Sequence, residues 1–117
     1  MKQVIIYGIK NCDTMKKAFL WLDSHKVAYT FHDYKKSGAD AVFLKRAIKE
    51  NGWENVLNRK GTTWRGLPDK IKADMNNQLA YETAIKNPSI IRRPLTVSGE
   101  KIHLGFDAEE YKKIFRL

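Results

Sequence analysis

Cys12 is the one cysteine in a chain of 117 residues. It stands where the apolar run Val4-Ile5-Ile6-Tyr7 gives way to the helical stripe Met15, Ala18, Phe19 and Leu22. That junction favours a reactive sulfur. Backbone N–H groups in a first helical turn have no intrahelical acceptor, and with the helix dipole they stabilise a thiolate over a thiol. Asp13 or Thr14 is placed to cap the same turn, and Lys16 and Lys17 follow. A lone cysteine is more often a small buried hydrophobe. Here the polar flanks Lys10-Asn11 and Asp13-Thr14 put the sulfur on a loop outside the strand. One thiol cannot form an internal disulfide or a cysteine-based zinc site, so any redox chemistry at Cys12 takes its second sulfur from another molecule. His25, His32 and His103 lack metal-like spacing to one another or to carboxylates, and no metal site is expected. Gly8 and Gly61 belong to no phosphate-cradling pattern and read as turn residues.

The elements that position Cys12 follow from hydrophobic periodicity. Residues 3 to 9 read as a buried strand and residues 14 to about 25 as an amphipathic helix. The alternation of Val27, Tyr29 and Phe31 predicts a second strand. A parallel crossover of this kind puts Cys12 at the carboxyl end of the first strand, the edge where open α/β sheets bind ligands. Ser37-Gly38-Ala39-Asp40 has the form of a capping box before a helix with stripe Phe43, Leu44, Ala47 and Ile48, ended by Gly52. Short helices are expected around Trp53, Val56 and Leu57 and over Leu67 to Met75, with a loop at Arg59 to Thr63 between them. A further helix from Leu79 to Lys86 closes at Asn87-Pro88. Ile90-Ile91, Leu95-Thr96-Val97 and Lys101 to Leu104 read as strands around a Ser98-Gly99 turn. Asp107-Ala108-Glu109-Glu110 opens a last helix that buries Tyr111, Ile114 and Phe115. The length fits one domain, 1–117, with a helical insertion over 37–88. The expected class is α/β: strand, helix, strand, then hairpin and terminal helix, with an inserted helical subdomain. This is the order of a thioredoxin-like fold.

A net charge of +9 and a pI near 9.7 raise the possibility of a polyanionic partner. The basic residues are scattered as pairs such as Lys16-Lys17, Lys35-Lys36, Arg92-Arg93 and Lys112-Lys113, which reads as the solvated faces of helices. Nucleic acid is therefore not the expected partner, and a locally positive cleft for a small anion is. Apolar stretches are only a few residues long, which excludes a membrane span or a signal segment and points to the cytoplasm.

The strings Tyr7-Gly8-Ile9-Lys10-Asn11-Cys12-Asp13-Thr14-Met15-Lys16-Lys17-Ala18, Asn58-Arg59-Lys60-Gly61-Thr62-Thr63-Trp64-Arg65, Arg92-Arg93-Pro94-Leu95 and Leu104-Gly105-Phe106 occur in this order. Together they resemble the ArsC/Spx family, arsenate reductase-like proteins of thioredoxin-like fold, and within it the YffB-like branch. The resemblance implies a nucleophilic cysteine, Cys12, with Asn11, Arg59 and Arg93 as substrate or anion-binding residues and Pro94 as a cis-proline beside them. Guanidinium groups suit both tasks, since they stabilise a thiolate and grip an oxyanion or carboxylate in bidentate fashion.

Two departures shape the expected function. Arsenate-reducing members use a third arginine shortly after the hairpin, where this chain reads His103-Leu104-Gly105-Phe106. The Spx regulators carry a Cys-x-x-Cys switch, whose second position is Met15 here. The resulting expectation is a cytoplasmic thiol-dependent reductase with Cys12 as nucleophile, no bound cofactor, and glutathione or a glutaredoxin-type donor as co-substrate. The alternatives are an Spx-like regulator that binds RNA polymerase without catalysis and a glutaredoxin-linked arsenate reductase.

Overall fold

Strand β1 (Val4–Gly8) is buried along most of its length because it has a neighbour on each side. The computed structural model describes residues 3–117. Among them the chain divides into two compact units. The first comprises the described residues through Ser37 together with Arg93–Leu117, and the second is Gly38–Arg92.

In the first unit, β1 is followed by α1 (Asp13–Ser24) and β2 (Thr30–Asp33), then a short helix α2 (Tyr34–Ser37). β2 pairs parallel with β1, Ile6 lying level with Phe31. The unit resumes with the hairpin of β3 (Leu95–Ser98) and β4 (Lys101–Leu104) and a closing helix, labelled α8 (Ala108–Phe115) after the helices of the second unit. β3 runs antiparallel to β1, and the strand order is β2-β1-β3-β4. This is the expected α/β, thioredoxin-like arrangement.

Helix α1 packs its stripe of Met15, Ala18 and Leu22 onto Val4 and Ile6, and Tyr111 of α8 completes the cluster. Tyr111 is fully buried and ringed by Trp21, Phe106 and Phe115 in edge-to-face contacts, a favoured aromatic geometry. Its hydroxyl shares a 2.8 Å hydrogen bond with the buried Thr96 hydroxyl, which ties α8 to β3. Asp107 caps α8 by accepting from the N–H groups of Glu109 and Glu110. Glu110 itself pairs forward with Lys113, so the box is made from one side only.

The second unit is helical: α3 (Ala41–Asn51), α4 (Trp53–Val56), α5 (Thr62–Arg65), α6 (Asp69–Ala73), α7 (Asn77–Lys86) and a 3₁₀ turn at Pro88–Ile90. Its core contains Leu44, Ala47 and Ile48 of α3 with Val56, Ala80, Ala84, Ile90 and Ile91. Gly52 ends α3 with a φ of +83°, where a residue with a Cβ would be strained.

Several boundaries differ from the sequence reading. The second strand starts at Thr30, because the Val27 N–H is taken by the Leu22 carbonyl in the turn closing α1. Helix α2 was not anticipated: it is four residues long and buries only Tyr34, so it leaves no periodic signal. Ser37 belongs to that helix. The cap of α3 is Asp40, whose carboxylate accepts from Val42 and Phe43 N–H. Residues 62 to 65, expected within a loop and its end, form a helical turn that buries nothing. Ile90-Ile91 is not a sheet strand. Pro88 starts a 3₁₀ turn there, and Ile91 makes an isolated bridge to Leu57. Ser98 is the last residue of β3, so the hairpin turn is Gly99-Glu100. The second unit begins and ends slightly later than the 37–88 span the sequence suggests.

Burial pushes the Tyr111 hydroxyl up to about 12. An unfolded tyrosine releases its proton near pH ~10, so between about 10 and 12 the unfolded chain binds fewer protons than the folded one and stability falls as pH rises. Urea denaturation should lose roughly 2–3 kcal/mol from this group across that range. Tyr111→Phe removes that part of the slope and, by leaving the buried Thr96 hydroxyl without its partner, lowers stability near neutral pH by about 1–2 kcal/mol. Unchanged stability at neutral pH together with an unchanged alkaline slope would contradict this account.

Candidate functional site

The site is built where three segments of the first unit meet at one end of the sheet. β1 ends at Gly8, and its pairing with β3 sets Tyr7 level with Leu95, which brings Pro94 alongside the end of β1. The Arg93–Pro94 peptide bond is cis. The Pro94 carbonyl accepts the Gly105 N–H at 2.9 Å, which holds the turn after β4 to the same place.

Gly8 is small for a reason. A Cβ there would lie 2.5 Å from Sδ and 2.6 Å from Cε of Met15. The glycine lets Met15, itself fully buried, tuck against the strand end and fixes the first turn of α1. Cys12 then occupies the N-cap position of α1 with extended backbone angles. The cap is thus the cysteine itself, and not Asp13 or Thr14 as the sequence suggested.

The Cys12 sulfur makes no full capping hydrogen bond. The donors around it nonetheless favour its charged form. Partial burial pushes the thiol up, and this is the largest single influence on it. Hydrogen bonding from the Met15 N–H, from the Arg93 side chain and from the Thr14 N–H, together with the positive charge of Arg93, outweighs the burial and holds Cys12 below its ordinary value. A lowered thiol gives up its proton more readily, which enlarges the share of the sulfur present as thiolate.

Cys12 and Arg93 are therefore brought together, with Pro94 next in the chain. Asn11 is exposed and lines a cleft of about 390 Å³ with Lys10, Lys16, Phe19, Tyr29 and Phe31. Arg59 lies in the second unit, exposed, with its guanidinium 5.6 Å from the centroid of the Trp53 ring. Trp53 in turn stacks on Trp64 at 5.8 Å. Sequence reasoning missed the Thr14 and Met15 N–H groups as the specific donors, the Gly8–Met15 contact, and the aromatic cleft. The spacing of Lys10, Lys16 and Phe19 around Cys12 was the available signal for the last.

The histidines serve structure. The His25 ring stacks on Trp21 and its Nδ1 bonds the Trp21 carbonyl, His32 lies 4.7 Å from the Tyr7 ring, and His103 contacts Tyr111. Among the described residues no group of three histidine, cysteine or acidic side chains is arranged to hold a metal. No helix among them is long and apolar enough to cross a membrane. Several basic side chains form exposed pairs along their own helices, as Lys112 with Glu109 and Lys70 with Asp74 do.

Removing Arg93 tests the balance at Cys12. The rate of iodoacetamide alkylation against pH should show a midpoint below that of a free cysteine in the wild type, moved upward in Arg93→Ala while the circular dichroism stays unchanged. Equal midpoints for the two proteins would mean that Arg93 does not act on the sulfur.

A model of the ArsC family matches residues 7–114. Among solved structures, a protein named YFFB is similar with a TM-score of 0.92 and 48% identity, over 96% of this chain and 98% of its own. An arsenate reductase (ArsC) related protein from Brucella melitensis is similar with a TM-score of 0.74 and 47% identity, over 98% of this chain and 96% of its own. The global transcriptional regulator Spx 2 of Bacillus anthracis is 25% identical over 112 residues, 94% of this chain and 85% of the regulator. With the matched segment running from the end of β1 through most of α8, the chain belongs to the ArsC family.

Proposed function

We propose that this protein is a cytoplasmic thiol-dependent reductase that takes its second sulfur from glutathione. The observation that carries the reading is the seat of Cys12: a helix N-cap facing two backbone N–H groups and the Arg93 guanidinium, which together overcome the effect of burial. A thiolate so held attacks a substrate disulfide R–S–S–G, forming a Cys12–S–S–G mixed disulfide and expelling R–S⁻. The thiolate of a second glutathione then attacks the glutathionyl sulfur, giving oxidised glutathione and restoring Cys12–S⁻. The family resemblance is what assigns Arg93, Arg59 and Asn11 to binding the anionic groups of substrate or glutathione, and Pro94 to shaping the site beside the sulfur. Family membership supports an oxidoreductase, and the single thiol favours mixed-disulfide chemistry over an internal switch.

Arsenate reduction is disfavoured by the segment after β4. Where arsenate-reducing members of the resemblance carry a third arginine, this chain has the turn around Gly105, which is buried and has a φ of +79°. An oxyanion at Cys12 loses one charged clamp. With glutathione and glutaredoxin supplied, arsenate turnover should be at background, whereas oxidised glutathione should add a glutathionyl group to Cys12 detectable by mass spectrometry and absent in Cys12→Ser. Arg59→Ala should slow adduct formation. Arsenate turnover like that of a genuine reductase, or an unmodified Cys12, would overturn the assignment.

The likeness to Spx 2 of Bacillus anthracis supports a second reading, a non-catalytic regulator that docks on RNA polymerase. Met15 in the second position of the Cys-x-x-Cys switch weighs against it. We expect no RNA polymerase to co-purify at physiological salt. Co-purification that is lost when exposed residues of the Gly38–Arg92 unit are changed would favour the regulator.

A further inference from the structure

The cleft beside Cys12 has a composition that the thiolate chemistry alone does not require. Its floor is aromatic: Phe19 stacks on Tyr29 at 5.5 Å and meets Phe31 edge-on at 5.2 Å. Its rim carries Lys10, Asn11 and Lys16, and no acidic side chain lines it. The Tyr29 hydroxyl is engaged by Asp23, which is not among the lining residues. The tyrosine therefore offers its ring to the cleft. Lys10 and Asn11 immediately precede Cys12, and the Lys16 N–H is bonded to the Cys12 carbonyl at 3.0 Å, so one wall of the cleft is continuous with the turn bearing the sulfur.

An apolar floor with a cationic rim suits one kind of occupant, a flat apolar body bearing a carboxylate. The ring stacks on the aromatic side chains and the carboxylate meets the lysine ammonium groups. We propose that this cleft is a substrate subsite for an aromatic carboxylate, the leaving half R of the disulfide R–S–S–G that Cys12 attacks. This role rests on the reductase reading. The exchange balances without a further reactant: Cys12–S⁻ bonds to the glutathionyl sulfur, the S–S bond breaks, and R departs as its thiolate. With R seated among these residues, the bound disulfide adjoins the turn that bears Cys12, and the fit of R sets which disulfides react fastest.

The test separates binding from thiol reactivity. 4-Nitrobenzoate is titrated into ¹⁵N-labelled Cys12→Ser protein, with acetate and nitrobenzene as controls. Saturable amide shifts should appear at Lys10, Asn11, Lys16, Phe19, Tyr29 and Phe31 with nitrobenzoate, and only weakly with either control. Lys16→Glu, at an exposed position, should weaken this binding about fivefold, and Phe31→Leu should weaken it as well. In protein retaining Cys12, the rate of exchange with 5,5′-dithiobis(2-nitrobenzoate), relative to the uncharged 2,2′-dithiodipyridine, should fall by a similar factor in Lys16→Glu. That ratio cancels changes in the intrinsic reactivity of the sulfur. Absence of saturable shifts at the cleft, or shifts indifferent to Lys16→Glu, would overturn the subsite even if Cys12 forms glutathione adducts. Saturable shifts with no disulfide exchange by the wild type would support the subsite and overturn the reductase reading.

Discussion

The close approach of Gly8 to Met15 is the constraint on which the rest of the site depends. Any side chain at residue 8 would need the space held by the Met15 thioether, and Met15 is fully enclosed by the core. Interiors packed to this density do not absorb an extra methyl group without shifting their neighbours. The contact seats the Met15 side chain, in the first turn of α1, against the end of β1. Cys12 benefits because a donor that is already oriented needs no reorganisation when the sulfur acquires charge. The reactive position is set by a glycine four residues upstream and a methionine three residues downstream.

Charge elsewhere matters much less than charge at this spot. Pairs such as Arg46 with Glu50 and Lys113 with Glu110 are exposed and lie along single helices, where water screens them to a few tenths of a kcal/mol. The excess of nine positive charges is thus a poor guide to function. Arg93 differs in placement. It is half-buried, it precedes a proline whose carbonyl is bonded to Gly105, and it acts on a partly desolvated sulfur. In a lower local dielectric, one guanidinium acts more strongly on its neighbour than several exposed lysines.

What was legible in the sequence follows the same physics. Helices with a one-sided core face, α1, α3 and α8, write their stripe into the chain, and so does β1. Helices α2 and α5 bury one residue or none and write nothing. The second strand was overextended because alternation at Val27 and Tyr29 looks like a strand, although the Val27 N–H is committed to closing α1. Ile90-Ile91 reads as a strand by composition. Only the preceding proline hints that the backbone turns there. At the site, the position of Cys12 and the partnership with Arg93 could be anticipated from motif order. The aromatic cleft was signalled only in part, by Lys10, Lys16 and Phe19 around Cys12, because Tyr29 and Phe31 at β2 join Phe19 on α1 only through the crossover.

The same packing disfavours an internal redox switch built by a single change in this chain. A second cysteine of a Cys-x-x-Cys pair would fall at residue 15, one turn after Cys12. Here that side chain points under Gly8 into the core cluster with Val4, Ile6 and Leu22. A thiol in that pocket would be desolvated among apolar neighbours and shifted away from its thiolate form. Replacing methionine by cysteine would also remove the atoms that seat the first turn of α1, leaving a cavity where the sulfur-bearing loop is anchored. The buried Met15 that seats the helix start beside Cys12 thus occupies the position where an intramolecular partner would stand. On the proposed reductase reading, this sulfur exchanges with thiols and disulfides that come from solution. An open cleft beside it, with an aromatic floor and a cationic rim, is consistent with that exchange.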